Sequence, residues 1–139
     1  SSNDSIKTMD YNKNIKQGLD QLVNRIGQSE SRKHIKKVFK IQQKQVIRFN
    51  EVERKNENLS IICTDLNNNA FSKPYKLLTS NYNDSFVQKG TGFGTTYKIS
   101  SIPFRIDFIM VDPRIKVIRF KTYDIKLSDH KPISAVLEL

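Results

Sequence analysis

Cysteine, tryptophan, glycine and proline are all scarce in this sequence, and the scarcity of cysteine is the most informative. Cys63 is the only cysteine among 139 residues. A single cysteine cannot form an internal disulfide, so nothing indicates a protein of an oxidising compartment. Because Cys63 falls in a predicted buried strand, we expect a small core side chain rather than a reactive thiol. With five glycines and four prolines, the chain shows no low-complexity linker.

Long apolar runs are also missing. No run approaches the roughly 20 residues that a transmembrane helix needs. The first five residues, 1–5, have neither the basic nor the apolar region of a secretory signal. We therefore expect no membrane span and no signal peptide in this chain, and its compartment stays open. The length favours one domain with a modest core.

Acidic residues are outnumbered by basic ones, 14 against 24, which gives a formal net charge of +10. Such a charge favours anionic partners, although it describes only the surface. Residues 1–58 and residues 59–139 are both basic. The charge therefore does not come from a basic tail attached to a neutral domain.

Helical periodicity dominates the first part of the chain. Apolar residues recur at helical spacing over Tyr11–Ile26. Ser29 or Ser31 is placed to cap a second helix that runs to about Glu53. We assign residues 1–58 to a helical segment and residues 59–139 to a β-rich part of the same domain. Helices followed by strands indicate an α+β fold rather than repeated βαβ units.

The second helix carries a basic stripe on one face, and two interpretations of it differ in function. Lys36, Lys40, Lys44 and Arg48 recur every four residues. A solvated helix face is the favoured interpretation, and a surface that follows a phosphate backbone is the alternative.

The β-rich part contains four predicted strands and one predicted helix. Ser72 can cap a short helix over Pro74–Thr79, and Asp112-Pro113-Arg114 can form a hairpin turn between the second and third strands. The glycines of the Gly90–Gly94 stretch form no dinucleotide fingerprint, so we expect a rim loop or bulge there. The predicted strands are Leu59–Thr64, Phe104–Val111, Val117–Tyr123 and Ile133–Leu137.

Polar side chains follow the first predicted strand at Asp65 and Asn67. On a continuing strand, residues two apart face the same side, where a carboxylate and an amide can orient a water and contact a phosphate oxygen. The alternative is turn chemistry, because Asp and Asn commonly stabilise the chain after a strand through their own side chains. For this motif alone the turn is the favoured interpretation.

A second group of polar residues contains Asp107 and His130. Asp107 lies in an apolar strand, so its carboxylate needs a partner, which His130 or Arg105 can supply. A carboxylate bonded to one imidazole nitrogen fixes the tautomer of the other. Imidazole can then accept a proton, or imidazolium can stabilise negative charge. A purely structural ion pair would have the same pattern in sequence. For His34, on the basic helix, we expect no functional role.

Three motifs together resemble those of the endonuclease/exonuclease/phosphatase superfamily. They are Thr64-Asp65-Leu66-Asn67, Arg105-Ile106-Asp107-Phe108 and Ser128-Asp129-His130. The stretches Phe71–Tyr75 and Gly92–Tyr97 also resemble a bacterial branch of that family. The resemblance covers about residues 35–139.

The resemblance implies a fold, a reaction and roles for five residues. The fold is a four-layer α/β sandwich, of which this chain resembles the C-terminal half, a mostly antiparallel sheet with outer helices. The reaction is Mg²⁺- or Mn²⁺-dependent hydrolysis of a phosphodiester or phosphomonoester by in-line attack of water. By resemblance, Asp65 positions or activates the water, and Asn67 contacts the phosphate. His130 binds and neutralises the phosphate or acts as the base, Asp107 orients His130, and Asp129 binds the metal.

One departure from the family limits what this chain does alone. The metal-binding Glu of the family's first half has no counterpart here, so we expect that a companion segment completes the fold. We also expect that the isolated chain is inactive or weakly active. The substrate is a phosphate ester, with nucleic acid, inositol phosphate and phospholipid as candidates. The alternative function is a noncatalytic basic module that binds nucleic acid or anionic lipid.

Overall fold

The structure, a computed structural model, describes residues 30–99 and 101–139. The predicted helix over Tyr11–Ile26 lies outside these residues. The chain divides into two compact units, Ser1–Ile41 and Gln42–Leu139, and all strands described below belong to the second unit. The proposed division at residue 58 stays a prediction.

Helix α1 spans Glu30–Glu53 and ends where the sequence predicted. In the second unit its inward side carries Val46 and Asn50, which are buried, and Phe49, which is half-buried. The four members of the basic stripe are all exposed, as a solvated face requires. None of the helices in the described residues combines the length and the apolar character needed to cross a membrane.

Within residues 30–99 and 101–139, seven strands form three antiparallel sheets, which confirms the predicted α+β class. The first sheet has the order β1–β5–β2, with β5 in the centre, and the other two are the pairs β3–β4 and β6–β7. The strands are β1 (Ile61–Asp65), β2 (Asn83–Asp84), β3 (Tyr97–Ile99), β4 (Ile102–Phe104), β5 (Asp107–Val111), β6 (Lys116–Thr122) and β7 (Ile133–Glu138).

Strand β5 separates two apolar cores because its side chains alternate between the two faces of the sheet. Phe108 and Met110 belong to a cluster with α1 residues and with Leu78. Ile109 and Val111 belong to a second cluster, formed with Ile115, Val117 and half-buried residues of β6 and β7. A helical layer, the central sheet and a second sheet are therefore packed in that order around β5.

Two short helices follow β1. Helix α2 (Lys73–Thr79) has Ser72 as its N-cap, since Ser72 Oγ accepts from the amide of Tyr75 at 3.3 Å, as predicted. Helix α3 (Ser85–Lys89) was not predicted from the sequence, and its N-cap is Asp84, whose Oδ1 accepts from the Phe86 amide at 2.9 Å.

Two predicted strand features are wrong. The strand over Phe104–Val111 is interrupted at Arg105 and Ile106, so that β4 and β5 belong to different sheets. The turn at Asp112 does form, with the Arg114 amide donating to Asp112 Oδ1 at 2.9 Å, but it joins no hairpin. β5 pairs with β1 and β2 whereas β6 pairs with β7, because the segment after the turn crosses to the second apolar core.

The burial predicted for Cys63 is also wrong, since its side chain is exposed. Along β1, Ile61, Cys63 and Asp65 share the exposed face, while Ile62 and Thr64 on the other face are half-buried. β1 is an edge strand of its sheet. An apolar strand sequence does not reveal that only one of its two faces is covered.

Candidate active site

Two carboxylates face each other at one end of the central sheet. Asp65 is the last residue of β1 and Asp107 the first residue of β5, and the two are paired directly across the antiparallel ladder. Directly opposed side chains of such a pair lie on the same face of the sheet and close together, and like charges in these positions are destabilising. The arrangement therefore calls for a neighbouring positive charge or a bound proton.

His130 supplies a group that can carry this charge. Its Nδ1 lies 2.9 Å from Asp107 Oδ2, with the two side chains 31% and 20% exposed. The hydrogen bond to Asp107 raises the pKa of His130, an effect that partial burial opposes and that the charges of Asp107, Asp65 and Asp129 reinforce. Of the two partners that the sequence offered for Asp107, the structure pairs it with His130.

The same hydrogen bond selects a tautomer. When the imidazole is neutral, a hydrogen on Nδ1 is the one that can be donated to Asp107, and Nε2 is left as the acceptor. The Tyr97 ring packs on the imidazole with 4.8 Å between centroids, and Tyr97 and His130 are joined by an isolated β-bridge. His130 is thus held through both its ring and its backbone.

Asp65, Asp107 and His130 each offer one ligand atom, and these atoms lie within 4.8 Å of one another. Two carboxylates are donors that a hard divalent cation such as Mg²⁺ accepts, with waters and substrate oxygens completing its coordination. The opposed negative charges of the two aspartates also favour a cation on electrostatic grounds. The residues present therefore fit a divalent metal ion.

Asn67 is placed by a turn and not by a continuing strand. β1 ends at Asp65, Asn67 has φ 47°, and its amide donates to Asp65 Oδ1 at 2.8 Å. The turn chemistry favoured for this motif is therefore present, and it holds one oxygen of the Asp65 carboxylate. The Asn67 side chain is exposed, and its contact with a phosphate stays a prediction.

Asp129 lies beside His130 but outside the group of three ligand atoms that are close together among the described residues. Its Oδ1 accepts a hydrogen bond from Ser128 Oγ at 3.1 Å, and the same hydroxyl accepts from the His130 amide at 3.2 Å. The structure shows an exposed carboxylate on the loop that carries the imidazole. Its role as a metal ligand stays a prediction.

Sequence reasoning missed two residues that build this region. Thr96 is 1% exposed, and its hydroxyl accepts from the amides of Ile106 and Asp107 at 3.1 and 3.2 Å. Asp84 forms a buried ion pair of 2.6 Å with Arg105, just before the Asp107 strand. Thr96 lies in the Gly92–Tyr97 motif, which could have drawn attention to it. The polar stretch around Asp84 predicted only a loop.

A cavity of about 250 Å³ opens beside α1 and β1. Asp65 is the only member of the cluster among its lining residues, so the cavity adjoins the site at one point and does not contain it. The lining residues are Gln42, Gln45, Val46, Phe49, Ile62, Thr64, Asp65, Leu66 and Leu78.

The fold and the cluster together define an α+β protein with two carboxylates and an imidazole at its strand ends. The sequence model of the Endonuclease/Exonuclease/phosphatase family matches residues 33–130. Because the match covers more than half of the chain, this protein belongs to that family, and the resemblance inferred from its motifs is confirmed. A comparison with curated protein sequences gave no significant match.

Two solved structures show the same fold. An endonuclease/exonuclease/phosphatase from Bacteroides vulgatus is 25% identical with a TM-score of 0.60, over 70% of this chain and 44% of that protein. The mannosyl-6-phosphatase of Bacteroides thetaiotaomicron is 22% identical with a TM-score of 0.57, over 72% of this chain and 46% of that protein. The chain thus spans less than half the length of either neighbour.

Proposed function

We propose that this chain supplies catalytic groups of a divalent-metal-dependent phosphoesterase. The observation that carries the proposal is the cluster of Asp65, Asp107 and His130. The family to which the chain belongs is described as one of endonucleases, exonucleases and phosphatases. Phosphoryl transfer to water needs groups that position the water and neutralise the charge on the phosphate. The cluster offers a carboxylate, an imidazole oriented by a second carboxylate, and donors that suit a divalent cation.

Each residue has a separate role in this proposal. Asp65 orients and deprotonates the attacking water through its free oxygen, since the Asn67 amide holds the other one. The raised pKa of His130 favours the imidazolium, which offsets negative charge on the phosphate, and Asp107 holds the ring in place. Asn67 donates to a phosphate oxygen. Asp65 and Asp129 would hold Mg²⁺ or Mn²⁺, which supplies Lewis-acid neutralisation of the phosphoryl oxygens when bound.

We further propose that the 139-residue chain alone turns over slowly or not at all. Solved neighbours are more than twice as long as the part that this chain matches, and no counterpart of the family's metal-binding Glu is evident in the sequence. A companion segment would then complete the metal site. Because low turnover is expected, metal binding is the more sensitive measurement.

The substrate class is a phosphate ester on an anionic molecule, in keeping with the net charge of +10. The name of one structural neighbour suggests a sugar phosphate, and the family description suggests a nucleic acid as well. The assay therefore needs one substrate of each kind beside the chromogenic ones.

The experiment measures hydrolysis of p-nitrophenyl phosphate, bis-p-nitrophenyl phosphate, mannose 6-phosphate and plasmid DNA, with Mg²⁺, with Mn²⁺ and with chelator. Asp65→Asn and His130→Gln remove the proposed groups, each with an expected loss on the order of 10²–10⁴-fold in rate. His34→Gln is the matched control, because His34 is the other histidine and is exposed on α1. Binding of Mn²⁺, measured by nuclear relaxation, is followed in the same proteins.

The outcomes separate the alternatives. Chelator-sensitive hydrolysis lost in the two variants and kept in the control supports a working site in this chain. Mn²⁺ binding that depends on Asp65, without hydrolysis, supports an incomplete site that a companion segment finishes. Hydrolysis that is unchanged in Asp65→Asn and His130→Gln, or metal binding that is unchanged in Asp65→Asn, would overturn the proposal. Salt-sensitive binding of DNA or anionic vesicles, with no metal binding, would instead indicate the noncatalytic module.

A further inference from the structure

One buried threonine is bonded to both chain segments that carry the Asp107–His130 pair. Thr96 lies just before β3 and is 1% exposed. Its hydroxyl oxygen accepts from the amides of Ile106 and Asp107, at 3.1 and 3.2 Å. These two amides lie where the chain leaves β4 and begins β5, so the hydroxyl holds the backbone from which the Asp107 side chain projects.

The backbone of the same residue reaches the other segment. The carbonyl of Thr96 accepts from the amide of Lys131 at 2.7 Å, and its own amide donates to the carbonyl of Phe104 at 2.9 Å. The next residue, Tyr97, forms the β-bridge and the ring contact with His130. One residue therefore bonds directly to the strand start that carries Asp107 and to the loop that carries His130.

We propose that Thr96 is a positioning residue for the Asp107–His130 pair, whose hydroxyl sets the distance and angle at which carboxylate and imidazole meet. The inference rests on the proposed function for its catalytic meaning, but the geometry it concerns exists without substrate or metal. Asp107 and His130 are 23 positions apart in the chain. Their contact therefore depends on how the two segments are held together, and Thr96 is hydrogen-bonded to each of them.

The side chain at this position must offer an acceptor in a buried place. Valine has nearly the shape of threonine but no oxygen, so it would leave the two amides without their acceptor, and buried amides in that condition are disfavoured. Serine keeps the oxygen and loses only a methyl group. Cysteine offers a sulfur, which is a weak acceptor. The three substitutions form a graded series in acceptor strength, in which valine keeps the shape of threonine and serine and cysteine both lack its methyl group.

A purely structural role would also lower stability, so stability alone does not test the proposal. The distinguishing property is the tautomer of His130, because the contact with Asp107 favours the hydrogen on Nδ1. Ring nitrogen chemical shifts, recorded at a pH where the imidazole is neutral and at a temperature well below the unfolding transition, report this tautomer. Hydrogen exchange at the Ile106 and Asp107 amides reports the hydroxyl contacts themselves.

The experiment compares Thr96→Val, Thr96→Cys and Thr96→Ser of the full chain by these two measurements. We expect Thr96→Val to accelerate exchange at the two amides on the order of tenfold and to lower the fraction of Nδ1–H tautomer. Thr96→Ser should preserve both, and Thr96→Cys should lie between them. Thr79→Val is the control, because the Thr79 hydroxyl bonds only to carbonyls of its own helix, and it should change neither signal.

Two results would overturn the inference. One is a folded Thr96→Val protein with accelerated amide exchange but an unchanged His130 tautomer, which would make the hydroxyl a structural element alone. The other is a Thr96→Ser protein that loses the tautomer as fully as Thr96→Val. If Thr96→Val does not fold, the comparison of Thr96→Cys with Thr96→Ser decides in the same way. None of these results depends on hydrolysis, so failure of the proposed function is seen separately in the substrate assays.

Discussion

Removing the charge of Asp84 should cost more stability than any surface change in this protein. Arg105 Nη1 lies 2.6 Å from Asp84 Oδ2, and the two side chains are only 8% and 2% exposed. The guanidinium also lies over the rings of Phe86 and Phe108, at 4.6 and 4.7 Å from their centroids. Asp84→Asn would leave this buried cation without its counter-charge.

The expected magnitude follows from burial. Breaking one partner of a buried ion pair costs about 3–5 kcal/mol, because the remaining charge stays out of water. Asparagine keeps an Oδ1 that can accept from the Phe86 amide, so the N-cap of α3 is retained. The loss then reports Asp84 Oδ2, which bears the charge that pairs with Arg105 and also accepts from the Tyr75 hydroxyl at 2.9 Å. The surface pair Lys116–Glu138, at 2.9 Å and with both side chains well exposed, is the matched comparison. Glu138→Gln should cost only about 0–1 kcal/mol.

The assay is urea unfolding followed by far-ultraviolet circular dichroism, since the chain has no tryptophan. With a urea dependence of about 1–3 kcal/mol per molar, Asp84→Asn should lower the midpoint by more than about 1 M. The double variant Asp84→Asn with Arg105→Met removes both charges and should recover part of the loss. A cost no larger than that of Glu138→Gln, or a double variant worse than the single one, would refute the reasoning.

Three further predictions concern the glycine loop and the active-site cluster. Gly94→Ala should lower the melting temperature more than Gly92→Ala. Both glycines have positive φ, but only a Cβ at residue 94 would meet the Phe86 ring, at 2.6 Å from its Cζ. Equal losses would contradict this. His130 has a folded pKa above its ordinary value, so the stability it contributes is present below about pH 6.5 and is lost as the pH rises through the folded pKa. His130→Gln should therefore weaken the pH dependence of the urea midpoint between about pH 6.5 and the folded pKa. An unchanged pH dependence would contradict the raised pKa of His130. In chelator, at a pH where His130 is neutral, Asp65→Asn should raise the free energy of unfolding by a few tenths of a kcal/mol, because it relieves like-charge repulsion across the ladder. A lowered free energy of unfolding would argue against that repulsion.

Local patterns in the sequence predicted the elements that local physics controls. The helix end at Glu53 and the Ser72 cap follow from periodicity and capping chemistry. The turn after Asp65 follows from the preference of Asp and Asn for bonding their own backbone. The pairing of Asp65 with Asp107 was not predicted, because the register between β1 and β5 depends on contacts between distant parts of the chain.

Three features of the structure depend on tertiary contacts and could not be predicted from local sequence patterns. The apolar run over Phe104–Val111 predicts one strand. Contacts from distant residues accompany its interruption, among them the buried hydroxyl of Thr96 and the pairing of Arg105 with Asp84. The sequence offered Arg105 as a partner of Asp107, because the partner in space, Asp84, lies in a stretch predicted to be a loop. The exposed face of Cys63 depends on which elements cover β1, and no local pattern carries that information.

The register that builds the site also creates its electrostatic problem. Pairing the end of β1 with the start of β5 places Asp65 opposite Asp107, a position where two negative charges weaken the sheet. The imidazole of His130 is hydrogen-bonded to Asp107, whereas the exposed carboxylate of Asp65 accepts from the amide of its own turn and acts on His130 only through its charge. The turn alone does not require this charge, because an asparagine at position 65 could also accept from the Asn67 amide. A second carboxylate beside a histidine of raised pKa agrees with the proposed site for a cation and a phosphate, so the cluster supports that proposal more strongly than any one of its motifs.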